Sequence, residues 1–434
     1  MREVVPLKQQ QLKKLKAKHG SDVVDQVRVD QIIGGMRGIK SLLWEASELD
    51  PNEGIRFHGK TIPECQKLLP SAPDGKEVIP ESMLWFLLTG QVPTPEQTKE
   101  LSIEFAEKGK LPDFLEKLVD SFPQTLHPMT QLGMGVAALN HDSAFQTAYE
   151  TGVSKTEYWT YMLEDCIQLL ARLPTLAARI YRNVYHPGQE LPDIDKNLDL
   201  VGNYSNMMGF GANKDLTEYL RLYIALHGDH EGGNASAHTS HVVGSTLADP
   251  YLAYSAGLYA LAGPLHGLAN QEVLRWLMAA RAEMAELRVE LTDEDIKEFL
   301  WRTLKSGRVV PGYGHGVLRS TDPRFTALLE FCEGRPDLLA SPIIKLVKQM
   351  YQVAPLVLTE HGKTKNPWPN VDSASGCVLY HYGLTEFKYY TVVFGVSRAL
   401  GVVTQLVWSR ALGLPIERPK SVSMDTLEKM VAKQ

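Results

Sequence analysis

Apolar residues recur along most of this chain at intervals of three and four, the spacing of one helical face. In TDEDIKEFLWRTLKSG, Ile296, Phe299, Leu300 and Leu304 form such a stripe. Thr292 is placed to cap that helix, and Gly307 to end it before Pro311. SPIIKLVKQMYQVAP repeats the pattern with Ile343, Leu346, Val347, Met350 and Tyr351. QEVLRWLMAARAEM after Gly267, and DLTEYLRLYIALHG, are two further cases. The period-2 signal of strands is rare; IRFHGKTI (55–62) is the best candidate and reads as a small hairpin. No internal repeat and no low-complexity tract interrupts the pattern. The expectation is an all-α protein with many helices.

One segment is apolar throughout. Residues 391–408, TVVFGVSRALGVVTQLVW, carry a single charge, Arg398. As a membrane span it would hold an arginine near its centre, at a cost of roughly 2.5–3.5 kcal/mol or more. A buried helix of a large core is the better reading, with Gly395 and Gly401 allowing close packing. Arg398 then needs an anionic partner, because a buried unpaired charge is very costly.

The 434 residues point to two or three domains, with a cleft between them. A net charge of −6 argues against a general nucleic-acid binder. It leaves room for a small anion held by a few local arginines. Cys65, Cys166, Cys332 and Cys377 are far apart and read as reduced thiols. The N-terminus lacks the apolar core of a secretion signal and reads as an exposed helix.

The candidate chemistry lies in loops and at helix ends. GYGHG (312–316) and GFGAN (209–213) lack the strand-to-helix setting of a nucleotide-binding turn. Pro311, Gly312 and Gly314 still make a side-chain-poor loop that a ligand can approach closely. His315 sits in that loop, followed by Arg319 and Arg324. His266, in GPLHGLANQEV, precedes a strong helix, whose field would keep its ring neutral and able to donate to an oxyanion. In PNVDSASG, two prolines lead to one carboxylate, Asp372, and then to four small residues. This reads as a helix start near Ala374, and equally as a rigid mount for a catalytic base. Arg324, Arg398 and Arg418 could clamp a small dicarboxylate by bidentate pairs. The stretch LHGDHEGGNASAHTSH holds His227, His230, His238 and His241 with Asp229 and Glu231, a possible metal site. It does not match the H-E-x-x-H helix motif.

Taken together, HGDHEGGN, GPLHGLANQEV, RVVPGYGHGVLR-x-x-DPR, NPWPNVD, FGVSRALG and ERPKS resemble the citrate synthase family in its eukaryotic form. The similarity extends upstream through GGMRGIK, DPNEGIRFHG and LHPMTQL. The resemblance implies an all-α homodimer. Residues 1–266 and 381–434 would form a large domain, and 267–380 a smaller domain that closes over the site. The implied reaction condenses an acyl-CoA with oxaloacetate and then hydrolyses the thioester. In that scheme Asp372 is the base at the acyl α-carbon. His266 donates to the thioester oxygen, and His315 to the oxaloacetate ketone. His230, Arg324, Arg398 and Arg418 would hold the oxaloacetate carboxylates, with Arg418 supplied by the other subunit. CoA would lie along Leu265, Val310, Gly312 and Tyr313, with Arg319, Thr364, Lys365, Asn370 and a partner's Arg37 near its phosphates or adenine. No metal or other cofactor is implied, nor a nucleic-acid or membrane partner. The implied location is the mitochondrial matrix, with no transit peptide visible in the sequence.

Within that family, citrate synthases proper are expected to carry serine at Gly228, alanine at Gly316, histidine at Ala374 and Gln-Tyr-Tyr at 380–382. The residues here are similar to the fungal 2-methylcitrate synthase branch, which takes propionyl-CoA, a kinship that longer-chain alkylcitrate synthases share. Two other classes stay open. A metal-dependent hydrolase would use the histidine cluster, and a helical scaffold would leave the ordered His, Arg and Asp motifs without a purpose.

Overall fold

The computed structural model describes residues 1–285 and 291–432. Helices build most of it, as the periodicity predicts, and the only sheet among the described residues is one two-stranded hairpin. The predicted helices form at Lys214–Leu226, Ala269–Ala285, Asp293–Lys305 and Pro342–His361. Thr292 caps its helix as expected, accepting from the Asp295 amide.

Three boundaries differ from the sequence reading. The hairpin pairs Ser47–Asp50 with Gly54–Phe57, so the strand stops five residues before Ile62. Asp50 Oδ1 accepts from the amides of Asn52 and Glu53 and closes the turn, which sets the register one strand earlier. The Pro342–His361 helix continues through Pro355 to a left-handed Gly362. Packing of Pro355 and its neighbours in the core outweighs the lost backbone donor. The helix after the prolines begins at Asp372, two residues before Ala374.

The helices pack in two groups. Tyr158–Tyr185 and Tyr390–Ala411 lie together at the centre of the larger, against Pro80–Thr89, Lys214–Leu226 and Pro250–Leu261. In the smaller, Asp372–His381 packs on Ala269–Ala285, Pro323–Glu333 and Pro342–His361, and also touches Lys214–Leu226. The long apolar helix is therefore a core element: every residue from Tyr390 to Ala411 is buried inside the protein. The four cysteines are buried and unpaired.

Gly401 lies where the Asp229 side chain presses on that central helix, and a Cβ there would overlap the carboxylate. Alanine is the better helix former by about 1 kcal/mol. Gly401→Ala is nevertheless expected to lose about 1–3 kcal/mol through overpacking. A denaturation midpoint at or above wild type would show that Asp229 has room to move.

Candidate active site

Two loops carry the chemistry, and backbone hydrogen bonds join them. Tyr313 and Pro369 form an isolated antiparallel bridge. The Asn370 amide donates to Gly312 O at 2.9 Å, and the Gly314 amide to Trp368 O at 3.1 Å. Asn370 Nδ2 donates to Gly314 O at 2.9 Å, while its Oδ1 accepts from the Asp372 amide at 3.0 Å. The two prolines thus stiffen a segment that is sewn to the glycine loop, and Asp372 is held in one frame with His315. Gly312 has φ of 80°, and a Cβ on it would come within 2.8 Å of Ser373. Close approach of the two backbones accounts for the smallness of both residues.

Each histidine is held in one tautomer. His315 Nδ1 faces the amides of Val317 and Leu318, both at 3.0 Å. Amides only donate, so Nδ1 keeps its lone pair and Nε2 carries the proton. In His266 the roles reverse: Nε2 accepts from the Ser236 amide at 3.3 Å, with Ser236 Oγ at 2.8 Å. Its proton therefore sits on Nδ1. That amide belongs to the first turn of Ala235–Ser245. His266 thus meets the start of this helix through its ring, and it also precedes the Ala269–Ala285 helix, whose Ala269 amide donates to His266 O at 3.2 Å. Burial lowers both rings to about 4, helped by Arg324 at His315 and by Arg398 at His266. Both are neutral donors at pH 7.

Asp372 is the complement. Its carboxylate is half-buried, and no hydrogen bond or ion pair engages it among the described residues. Desolvation raises it to about 6, against the pull of Arg324 and with a further push from Asp322.

The arginines make the site anion-seeking. Arg324 is buried and gripped by Asp322 through Nε at 3.1 Å and Nη2 at 2.7 Å. Arg398 is only 2 % exposed. Its Nε donates to His227 O at 2.9 Å and its guanidinium lies 4.8 Å from the Phe394 ring centre. No carboxylate lies within ion-pair distance of it among the described residues. Burial and the nearby Arg324 lower Arg398 to about 10. His230 closes the group: its ring meets His315 edge-on at 5.6 Å, and its Nε2 is buried without a partner.

His230, His266, His315, Arg324, Arg398 and Asp372 therefore share one electrostatic neighbourhood. Val310, Gly312, Tyr313, Asn370 and Arg319 lie along the same pair of loops. Thr364 approaches Gly314. Leu265, next to His266 in the chain, and Lys365, next to Thr364, are exposed, and Arg37 and Arg418 are exposed with no ion pair among the described residues.

Sequence reasoning did not give several supporting residues their roles. Asp322 holds Arg324, and Ser236 fixes His266. Asp229 takes the Ser47 hydroxyl at 2.7 Å, the Trp44 indole N–H at 3.0 Å and the His230 amide at 2.9 Å. His227 donates through Nδ1 to Tyr223 O and leaves a buried, unpartnered Nε2. Of these, only the Asp of D-P-R and the Asp of H-G-D-H carried a visible signal. The histidine cluster itself divides. His227 and His230 face the arginines, whereas His238 and His241 turn to Glu417. Among the described residues no three His, Cys, Asp or Glu side chains are arranged to hold a metal ion.

The sequence of this site has clear relatives. The citrate synthase C-terminal domain family model matches residues 35–420. The chain belongs to the citrate synthase family. It is 54% identical to the mitochondrial 2-methylcitrate synthase of Fusarium solani, over 100% of this chain and 92% of that protein. It is 56% identical to the mitochondrial citrate synthase of Neurospora crassa, over 98% and 89% respectively. Its fold matches the crystal structure of citrate synthase from Pyrobaculum aerophilum with a TM-score of 0.76 at 26% identity, covering 91% of this chain and 92% of that one.

Ionising Asp372 in the folded protein is unfavourable, because burial raises it from 3.8 to about 6. The folded state binds the proton more tightly than the unfolded chain, so stability falls as pH rises from about 4 to 6 and stays lower above that range. Asp372→Asn removes the penalty. It is expected to raise the thermal midpoint at pH 8 and to leave it nearly unchanged at pH 4. Equal midpoints at both pH values would show that the carboxylate is solvated.

Proposed function

We propose that this enzyme condenses an acyl-CoA with oxaloacetate and then hydrolyses the thioester, with propionyl-CoA favoured and acetyl-CoA accepted. One observation carries the reading: a carboxylate raised to about 6 shares its site with two imidazoles fixed as neutral donors. An acyl-CoA α-proton is far less acidic than a carboxylic acid, so a carboxylate alone cannot remove it usefully. A donor at the forming enolate oxygen lowers that barrier.

In the proposed mechanism Asp372 takes the α-proton while His266 Nδ1–H donates to the thioester oxygen. The resulting carbon nucleophile attacks the ketone carbon of oxaloacetate. His315 Nε2–H donates to the ketone oxygen as that oxygen becomes the alkoxide and then the hydroxyl, and the proton that Asp372 took makes up the one His315 gives, so both groups return to their starting states. Water next adds to the thioester carbonyl, the C–S bond breaks, and CoA leaves as the thiol. Arg398, Arg324 and His230 hold the oxaloacetate carboxylates, and Arg418 reaches the site from the other subunit of a homodimer. CoA runs along Leu265, Val310, Gly312 and Tyr313, near Arg319, Thr364, Lys365, Asn370 and a partner's Arg37. Residues 267–380 act as the smaller domain that closes on the large one (1–266 and 381–434), excluding water until the carbon–carbon bond has formed. The chemistry assigned here calls on no metal. The mitochondrial names of the relatives support a mitochondrial location.

Acyl preference is assigned to two small residues. A Cβ on Gly316 would meet nothing within 4 Å, which leaves room beside His315. Ala374 lies within one turn of Asp372 and is buried. The similar identity to a citrate synthase keeps the acetyl-CoA reading as the second choice.

CoA release with oxaloacetate and acyl-CoAs of increasing length tests the reaction. Asp372→Asn is expected to abolish it while oxaloacetate still raises the melting temperature. Near-normal turnover in that variant would remove Asp372 as the base.

One methylene is worth about 1–3 kcal/mol in a pocket, or about 10–200-fold, so the wild-type preference should be graded. Ala374→His is expected to shift kcat/KM toward acetyl-CoA, chiefly by depressing the propionyl rate. An unchanged ratio, or a wild type that barely uses propionyl-CoA, would make this an ordinary citrate synthase.

A further inference from the structure

The two histidines left outside the site have a common partner. His241 Nδ1 and His238 Nε2, one turn apart on Ala235–Ser245, both face the Glu417 carboxylate, the second at 3.5 Å. The Glu417 amide also donates to Ser245 Oγ at 3.0 Å. His241 Nε2 lies 3.2 Å from Ser409 Oγ, on the central core helix. Glu417 is thus fastened from three side chains of one helix, and that helix is itself braced on the core.

Beyond Glu417 the fastening stops. No hydrogen bond or ion pair ties residues 418–432 to the rest of the described chain. The short helix Met424–Val431 makes only internal bonds and buries no residue. Arg418, exposed and unpaired, is the first residue past the last tether.

We infer that Glu417, clasped by His238 and His241, is a positioning residue that fixes the point from which Arg418 is delivered to the partner subunit's oxaloacetate pocket. This rests on the proposed role of Arg418 across the dimer. An arginine has many rotamers, and a bidentate grip on a carboxylate needs its fork placed to within a fraction of an ångström. Anchoring the residue directly before it removes backbone wandering and leaves only side-chain freedom. The clasping helix has a second link to the chemistry, because its first turn holds His266. One helix therefore supports His266 at its start and launches Arg418 outward from its end.

The test uses full-length homodimers, and hybrids formed by subunit exchange with differently tagged Asp372→Asn protein. Glu417→Ala is expected to raise the oxaloacetate KM about tenfold, the scale of a misplaced binding group. The acyl-CoA KM should stay unchanged, and Glu417→Asp should recover most of the loss. In the hybrid, the one site that keeps Asp372 receives Arg418 from the subunit whose Glu417 is intact, so its oxaloacetate KM should return to wild type. A KM that stays raised in the hybrid overturns the inference, because Glu417 would then act within its own subunit. So would dissociation of the Glu417→Ala protein into monomers by sedimentation. Arg418→Ala is the reference. An unchanged oxaloacetate KM there removes the reading on which the inference rests. A raised KM there, with none in Glu417→Ala, overturns the inference alone.

Discussion

Arg398 sits in the middle of a helix whose every residue is buried, and among the described residues no carboxylate lies within ion-pair distance to neutralise it. A guanidinium in that position is tolerated only if dipoles, aromatic faces or a ligand answer its charge. Here a carbonyl and the Phe394 face answer part of it. The carboxylate that acts on it from farther away, Asp229, already accepts from Ser47, Trp44 and the His230 amide, and Asp322 is committed to Arg324. What remains is a region of positive potential at the site, acting beside the effects of burial. Burial is the larger reason that His227, His230, His266 and His315 resist a proton, and the arginines add to it. The arginines also hold down the rise that burial imposes on Asp372.

Backbone amides do the finer work. One pair of amides at His315 and one helix-start amide at His266 choose opposite tautomers, so each ring presents a different nitrogen as donor. Fixed dipoles of this kind need no reorganisation when charge develops on a substrate oxygen. The bridge between the 312–314 and 368–370 segments gives base and donor a common frame. The hairpin adds a second brace. Ser47 supports Asp229 beside His230, and the turn at Pro51 accepts the Arg319 amide at 2.6 Å. Both groups of helices are thus held to one small element at the edge of the site.

The site is kept at an energetic cost. Asp372 is harder to ionise than in water, and His227 and His230 each hide an unpartnered nitrogen. Such arrangements persist where the surrounding fold over-determines them, and that surplus comes from the large apolar core around Tyr390–Ala411.

Much of this was legible in the sequence. The helical class and the long core helix followed from periodicity and the cost of buried charge, whereas the anionic partner expected for Arg398 is not found within ion-pair distance among the described residues. His266, His315, Asp372, Arg324 and Arg418 stood out because each lies in a loop rich in glycine or proline or at a helix end, where local composition is informative, and Arg398 because it is the single charge of an apolar segment. The hairpin's first strand did not stand out, because SELD is too short and too polar to mark itself. Nor could sequence order show which helix faces His266, since the amide that fixes its tautomer lies 30 positions earlier. Asp322 beside Arg324, Glu417 beside His241 and the meeting of the two loops are through-space facts. A chain's periodicity records which face is buried, because burial acts on each element separately. Which charged and polar groups meet across elements is settled only when the helices pack, because those energies depend on distances that separate stretches of sequence do not contain.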